Sequence, residues 1–247
     1  MKIAILSDIK SNVYALEAVL EDTKKNNIDV LLNLGDSFLG PIAPKETYDL
    51  IRKNNFITLL GDEDRQILEA SLAQLEINDI LRYVYNDLND EVLYWIQELP
   101  FEKLIGEDFY MIHGTYQDDS LYMLEDSSSG KLKLHDDKKI LEILDDIKSK
   151  FVLCGNSCTP RCVNLSSGQV VINPGAVGVQ AFNKNLPNKH TIENNTIDAS
   201  YVILTVEGEK YDIELKKVAY DVEKAALKAI ENGREDWAKR LRTGRLK

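Results

Sequence analysis

Short apolar runs that stop abruptly at a polar residue or a glycine recur along the chain: KIAILSD (2–8), DVLLNLGD (29–36), FITLLGD (56–62), DFYMIHG (108–114), FVLCGN (151–156) and QVVINPG (169–175). Runs this short and this uniformly apolar predict strands buried on both faces of a layered sheet. Between the first two, Leu16, Val19 and Leu20 recur at helical spacing after Ser11-Asn12. That spacing predicts an N-capped helix over 12–25, and hence a β-α-β unit opening a parallel, layered α/β arrangement.

Leucine and isoleucine at intervals of three and four predict amphipathic helices over about 63–99 and 136–149. YVILTVEG (201–208) and EKYDIELKKV (209–218) alternate around a glycine-containing turn and predict a hairpin, followed by a helix over about 222–240. Segments 118–131, with DSSSG, and 183–200, with NKNLPNKHTIENN, are rich in turn formers and read as loops, either surface excursions or lids over a pocket. With no repeat and no linker, the expectation is one domain over 1–247, with a helical insert at about 63–99.

The 247 residues include 44% hydrophobic and 29% charged side chains, enough apolar material for a core. A formal charge of −11 repels nucleic-acid phosphates and argues against non-specific DNA or RNA binding. No stretch approaches the roughly 20 apolar residues that span a bilayer, and MKIAILSDIK meets an acidic residue too early for a signal peptide, so a cytoplasmic location without membrane partners is expected. Cys154, Cys158 and Cys162 are odd in number, which favours reduced structural thiols over a disulfide framework or a metal cluster.

Polar residues fall in a telling place. Asp8, Asp36, Asp62, His113 and Asn156 each lie at or just beyond the carboxyl end of a predicted strand, where layered α/β folds bind ligands. Together they form the mixed oxygen and imidazole set of a divalent transition metal.

In order and spacing, SDIKSN (7–12), LGDSFLGP (34–41), LGDED (60–64), IHG (112–114), CGNSCTP (154–160) and NPGAVG (173–178) resemble the motifs of the calcineurin-like metallophosphoesterases, in particular their small bacterial and archaeal phosphodiesterase branch. The resemblance covers nearly the whole chain. It implies a four-layer α-β-β-α sandwich of mixed sheets and two metals bridged by Asp36. One metal would take Asp8 and positions 10 and 158; the other would take position 62, His113 and position 156. The same resemblance gives catalytic roles to Lys10, Asp36, Glu63 and His113, and places Lys10, Asn12 and Asp62 against the substrate.

Several ligand positions have changed chemistry. Lys10, Asn156 and Cys158 stand where the family carries histidines, and Asp62 stands where it carries asparagine. An ammonium has donors and no acceptor, so Lys10 either substitutes for a cation between Asp8 and Asp36 or points away into solvent. Cys158 is a ligand only as thiolate and otherwise a plain thiol. Glu63, where the family has a proton-donating histidine, is either that acid or a helix-start carboxylate. The surviving set, Asp36, Asp62, His113 and Asn156, suits one Mn, Mg or Fe(II) ion and argues against a second.

Three functional readings follow. The first is a family member with little or no phosphoesterase activity that binds a phosphate-containing small molecule or nucleotide. The second is an active metal-dependent phosphodiesterase using one metal plus Lys10. The third is a non-catalytic interaction subunit, with Phe38, Leu39 and Ile42 as candidate homo-oligomer contacts. The basic stretch 237–247 reads as a contact for acidic partners or as a solvated helix end.

Overall fold

Each of the six apolar runs contains a strand, and the uniform apolarity has a simple cause: both faces of these strands are covered. In β1 (Lys2–Leu6), Ile3 and Ile5 point to one core while Ala4 and Leu6 point to another. The computed structural model describes residues 1–185 and 188–246. Residues 186 and 187, in the segment read as a loop, and 247, at the end of the basic stretch and of the expected domain, lie outside the described set.

After β1 the chain forms α1 (Val13–Lys25), β2 (Val30–Asn33), α2 (Pro44–Lys53), β3 (Ile57–Thr58), α3 (Asp62–Leu68), α4 (Leu72–Ile77), α5 (Asp79–Asp87), α6 (Asp90–Gln97), β4 (Glu102–Ile105) and β5 (Phe109–Ile112). It continues with β6 (Glu125–Asp126), β7 (Lys133–Leu134), α7 (Asp137–Leu144), β8 (Phe151–Leu153), β9 (Arg161–Asn164) and β10 (Val170–Asn173). It ends with β11 (Ala181–Lys184), β12 (His190–Glu193), β13 (Ala199–Glu207), β14 (Lys210–Val218), α8 (Val222–Glu231) and α9 (Glu235–Thr243).

Two five-stranded mixed sheets form, in the orders β14-β13-β1-β2-β3 and β4-β5-β8-β10-β9. β1, β2 and β3 run parallel, as the β-α-β pattern predicts, and β13 joins β1 antiparallel. Ile3, Ile5 and Val202 of one sheet meet Phe109, Met111, Phe151 and Ile172 of the other in the inter-sheet core. Leu16, Val19 and Leu20 of α1 cover the outer face of the first sheet, and Ile140 and Leu144 of α7 cover that of the second. The result is the expected α-β-β-α layering.

The structure corrects several boundaries. Residues 63–99 are four short helices, because Ser71, Asn78 and Asn89 each cap a new one with the side chain. The helix expected over 136–149 stops at Leu144, after which Asp145 turns left-handed at φ 47°. The helix expected over 222–240 is α8 and α9, interrupted at Gly233 with φ 75°. The segments read as loops contain strands: β6 lies within 118–131 and pairs with β7 just beyond it, and 183–200 holds the end of β11 and its partner β12.

Phe38 and Ile42 are not surface contacts. Both are fully buried, and Phe38 packs edge-on against Trp95 with ring centroids 6.1 Å apart. They belong to the core that holds the β2–α2 loop, so these residues give no basis for a homo-oligomer interface.

The NPGAVG loop docks directly on the loop after β1: Val177 N donates to Ser7 O and Gly178 N donates to Asp8 O at 2.9 Å. A Cβ at Gly178 would lie 2.0 Å from Ile9 O, so only glycine permits this approach. Gly178→Ala is expected to destabilise the protein by about 1–3 kcal/mol, the usual cost of forcing atoms into packed space. Urea denaturation checks this; unchanged stability would mean that the two loops part without cost.

Candidate active site

The loops after β1, β2, β3, β5 and β8 converge, bringing Asp8, Lys10, Asp36, Asp62, Glu63, His113, Asn156 and Cys158 to one end of the two sheets. Their backbone is unusual. Asp8, Lys10, Asp36, Asn156 and Cys158 all have φ between 48° and 62°. Side-chain-bearing residues occupy this left-handed region at a cost, and persist there only when their surroundings enforce it. Here the enforcement is visible: Asp8 N donates to Gly35 O and Lys10 N donates to Asp36 O, each at 3.0 Å.

Lys10 does not point away. Its Nζ lies 3.3 Å from Asp8 Oδ1, 3.0 Å from Asp36 Oδ2 and 2.7 Å from Glu63 Oε2, with the side chain 3% exposed. Burial alone would lower its pKa, but Asp36, Glu63 and Asp8 override it and hold the ammonium protonated well above its ordinary value. Burial would likewise raise the Asp36 pKa, yet His113 and Lys10 bring it well below the usual carboxylate range.

Burial lifts Glu63 to about 7 against the opposing pull of Lys10. Glu63 is also a first-turn residue of α3, and its own N–H donates to Asp36 Oδ1 at 2.9 Å. Cys158 Sγ lies 2.9 Å from Asp8 Oδ1 and donates to it. Burial first, then Asp8, pushes the thiol well above its ordinary value, which favours the protonated thiol over the thiolate that a metal would require.

The opposite side of Asp36 is built differently. His113 Nδ1 hydrogen-bonds Leu34 O at 2.7 Å, which fixes a proton there and turns Nε2 towards Asp36 and Asp62, at 3.4 and 3.2 Å. Neither approach has hydrogen-bond geometry: His113 Nε2 and Asp62 Oδ1 are buried without a partner among the described residues. Asp36 is the main reason, against burial, that the imidazole is held protonated well above its ordinary value.

Lys184, at the end of β11, was not anticipated as a site residue. It reaches in with its side chain 12% exposed, 3.7 Å from Asp62 Oδ1, and donates to Asn156 Oδ1. The Asn156 amide nitrogen donates to Asp119 O at 2.8 Å, so both ends of that amide are engaged. Metal ligation by Asn156 therefore requires Lys184 to leave. Asn12 is similarly committed: its oxygen caps α1 by accepting from Ala15 N, and its nitrogen donates to Gly178 O at 2.7 Å and to Tyr220 Oη at 3.2 Å. It has no atom to spare for a substrate.

Asp64, also unanticipated, accepts from the backbone N–H groups of Ser37 and Phe38 and so shapes the Asp36 loop. Burial, with Asp36 beside it, lifts its carboxyl to about 8.

The model of the calcineurin-like phosphoesterase superfamily domain matches residues 1–209. The chain belongs to this superfamily. An uncharacterized protein of Methanocaldococcus jannaschii is 26% identical, covering 98% of each chain. The crystal structure of a metallophosphoesterase from Sphaerobacter thermophilus superposes with a TM-score of 0.77 at 22% identity, covering 99% of this chain and all of the other, and shows the shared fold. No helix among the described residues is long and apolar enough to cross a membrane.

Metallophosphoesterases use divalent metals, and here Asp8, Asp36 and His113 offer ligand atoms within 4.8 Å of one another. The two sides of this group differ in how well they fit an ion. On the His113 side Nε2 and Asp62 Oδ1 have no hydrogen-bond partner among the described residues and, once Nε2 gives up its proton, would form an imidazole and carboxylate donor pair around Asp36. On the Asp8 side the surroundings are an ammonium and a protonated thiol, which repel or ignore a cation.

Lys10→Met keeps an unbranched side chain, one atom shorter, and removes its charge. Leaving Asp8 and Asp36 without that partner is expected to cost about 3–5 kcal/mol, as for a broken buried ion pair. Denaturation with and without Mn checks both parts: stability falls without metal and partly recovers with it. No loss on substitution would mean that the carboxylates do not depend on the ammonium.

Proposed function

We propose that this superfamily member binds a phosphate compound at the strand ends with little or no dinuclear hydrolysis, its two lysines supplying the charge of the missing metals. The position of Lys10, between Asp8 and Asp36 and within 3.3 Å of both, carries this reading. Lys184 stands beside Asp62 and Asn156 in the same way. Four carboxylates, Asp8, Asp36, Asp62 and Glu63, thus face Lys10, Lys184 and His113, so fixed cationic side chains supply much of the charge that a divalent ion would otherwise bring. An ammonium can neutralise phosphate charge, but it has no open coordination position and generates no hydroxide from bound water.

A second reading, a phosphodiesterase with one metal plus Lys10, draws on one observation: the buried, partnerless His113 Nε2 and Asp62 Oδ1. Such an ion, Mn, Mg or Fe(II), would be held by Asp36, Asp62 and His113 and would supply Lewis-acid charge. Lys10 would hold the other side of Asp36.

Metal analysis of chelator-free protein, Mn-dependent hydrolysis of a generic phosphodiester and calorimetric titration with inorganic phosphate separate these. The first reading expects fewer than two ions per chain, no Mn-stimulated turnover, and phosphate binding that weakens in Lys184→Ala. Turnover with one ion favours the second reading, whereas two tightly held ions with metal-dependent turnover overturn the first.

Restoring histidines is a further check. Lys10→His, Asn156→His and Cys158→His together are expected to recover one ion on the Asp8 side, while a second requires Lys184→Ala as well. Full loading of the triple variant, by metal analysis, would mean that Lys184 does not compete.

A further inference from the structure

Helix α9 and its N-cap residue Arg234 lie beyond the matched region 1–209, yet they form one wall of a cavity that reaches Lys10 in the candidate site. Trp237 and Leu241 of α9 share a buried cluster with Phe182, Val179 and Cys158, and α9 rests on β11, the strand that ends in Lys184. Between them lies a cavity of about 160 Å³. Its lining includes Lys10, Lys184, Arg234 and Arg240, with Glu63 as its only carboxylate among the described residues.

The two arginines are short of counter-charge. Asp236 accepts from Arg234 Nε at 2.7 Å and Nη2 at 2.8 Å, and also from Arg240 Nη2 at 2.8 Å, so one carboxylate serves two guanidiniums. The other N–H groups of Arg240 have no hydrogen-bond partner among the described residues, although its side chain is only 20% exposed. Burial depresses the pKa of this guanidinium below its ordinary value. Meanwhile Lys10 and Lys184 already face Asp8, Asp36, Asp62 and Glu63. An anion with a single charged group therefore meets cations that are already matched by carboxylates, and the less fully matched positive charge sits on the α9 wall.

We propose that Arg234 and Arg240 form a second anion subsite, so that the cavity takes a compound with two linked phosphoryl groups, one at Lys10 and Lys184 and the other at the α9 arginines. This rests on the phosphate-binding reading above. Guanidinium forks suit phosphoryl oxygens, to which they donate in pairs. The cavity is smaller than the roughly 300–1,000 Å³ of common ligand pockets, so it holds a compact diphosphate unit and leaves any larger substituent at its mouth.

The test is calorimetric titration of the full chain, without metal, with inorganic phosphate and with inorganic pyrophosphate. Pyrophosphate is expected to bind roughly tenfold or more tighter than phosphate, the range one or two charge-assisted hydrogen bonds provide. Arg240→Gln should weaken pyrophosphate about tenfold more than it weakens phosphate. Asp236→Asn, which releases both guanidiniums, should tighten pyrophosphate, a gain that damage to the fold does not produce.

If wild-type protein binds phosphate but gains nothing from the second phosphoryl group, the subsite is overturned and the phosphate-binding reading stands. The same holds if Arg240→Gln weakens both anions equally and Asp236→Asn brings no gain. Binding of neither anion overturns both.

Discussion

An ammonium held among three carboxylates is the interaction on which the rest of this site depends. Lys10 can take that position only because the chain turns left-handed at Asp8, Lys10 and Asp36, and those turns survive because the neighbouring loops hydrogen-bond to one another. Gly178 lets the NPGAVG loop press on Ile9, and Asp64 gathers the amides of Ser37 and Phe38. The strained backbone retained by the scaffold now presents a lysine where it would present an imidazole. The Coulomb attraction of so close a pair in a low-dielectric interior offsets the desolvation of both partners only when every charge is matched.

The same logic explains the asymmetry across Asp36. On the Asp8 side, Lys10, the Cys158 thiol, the Ser7 hydroxyl and the Glu63 amide together engage every carboxylate oxygen of Asp8 and Asp36. On the His113 side Lys184 stands farther off, 3.7 Å from Asp62, and two buried polar atoms lack hydrogen-bond partners among the described residues. One half is therefore closed chemically, and the other retains the donors of a weak single-ion site. On the proposed reading, covalently attached cations would keep phosphate-attracting charge in place independent of metal supply, and no metal-bound nucleophile would form on the Asp8 side.

Much of the fold was legible because apolar runs such as KIAIL are buried on both faces, a pattern that survives in sequence. The site was legible where residues sit at strand ends: Asp8, Asp36, Asp62, His113, Asn156 and Cys158 all converge. Lys184 escaped notice because it closes a short strand inside a polar stretch, and nothing local distinguishes it from its solvated neighbours Lys189 and Lys210. Arg234 and Arg240 were hidden for another reason: in sequence they belong to an ordinary basic helix, and only the packing of α9 on β11 turns them towards the cavity.

Anomalous diffraction from crystals grown with Mn tests most directly whether lysine ammoniums stand in place of metals. The account predicts Lys10 Nζ still within hydrogen-bond distance of Asp36, and at most one Mn peak, beside His113 and Asp62. Two Mn peaks bridged by Asp36, with Lys10 swung out of the site, would contradict it.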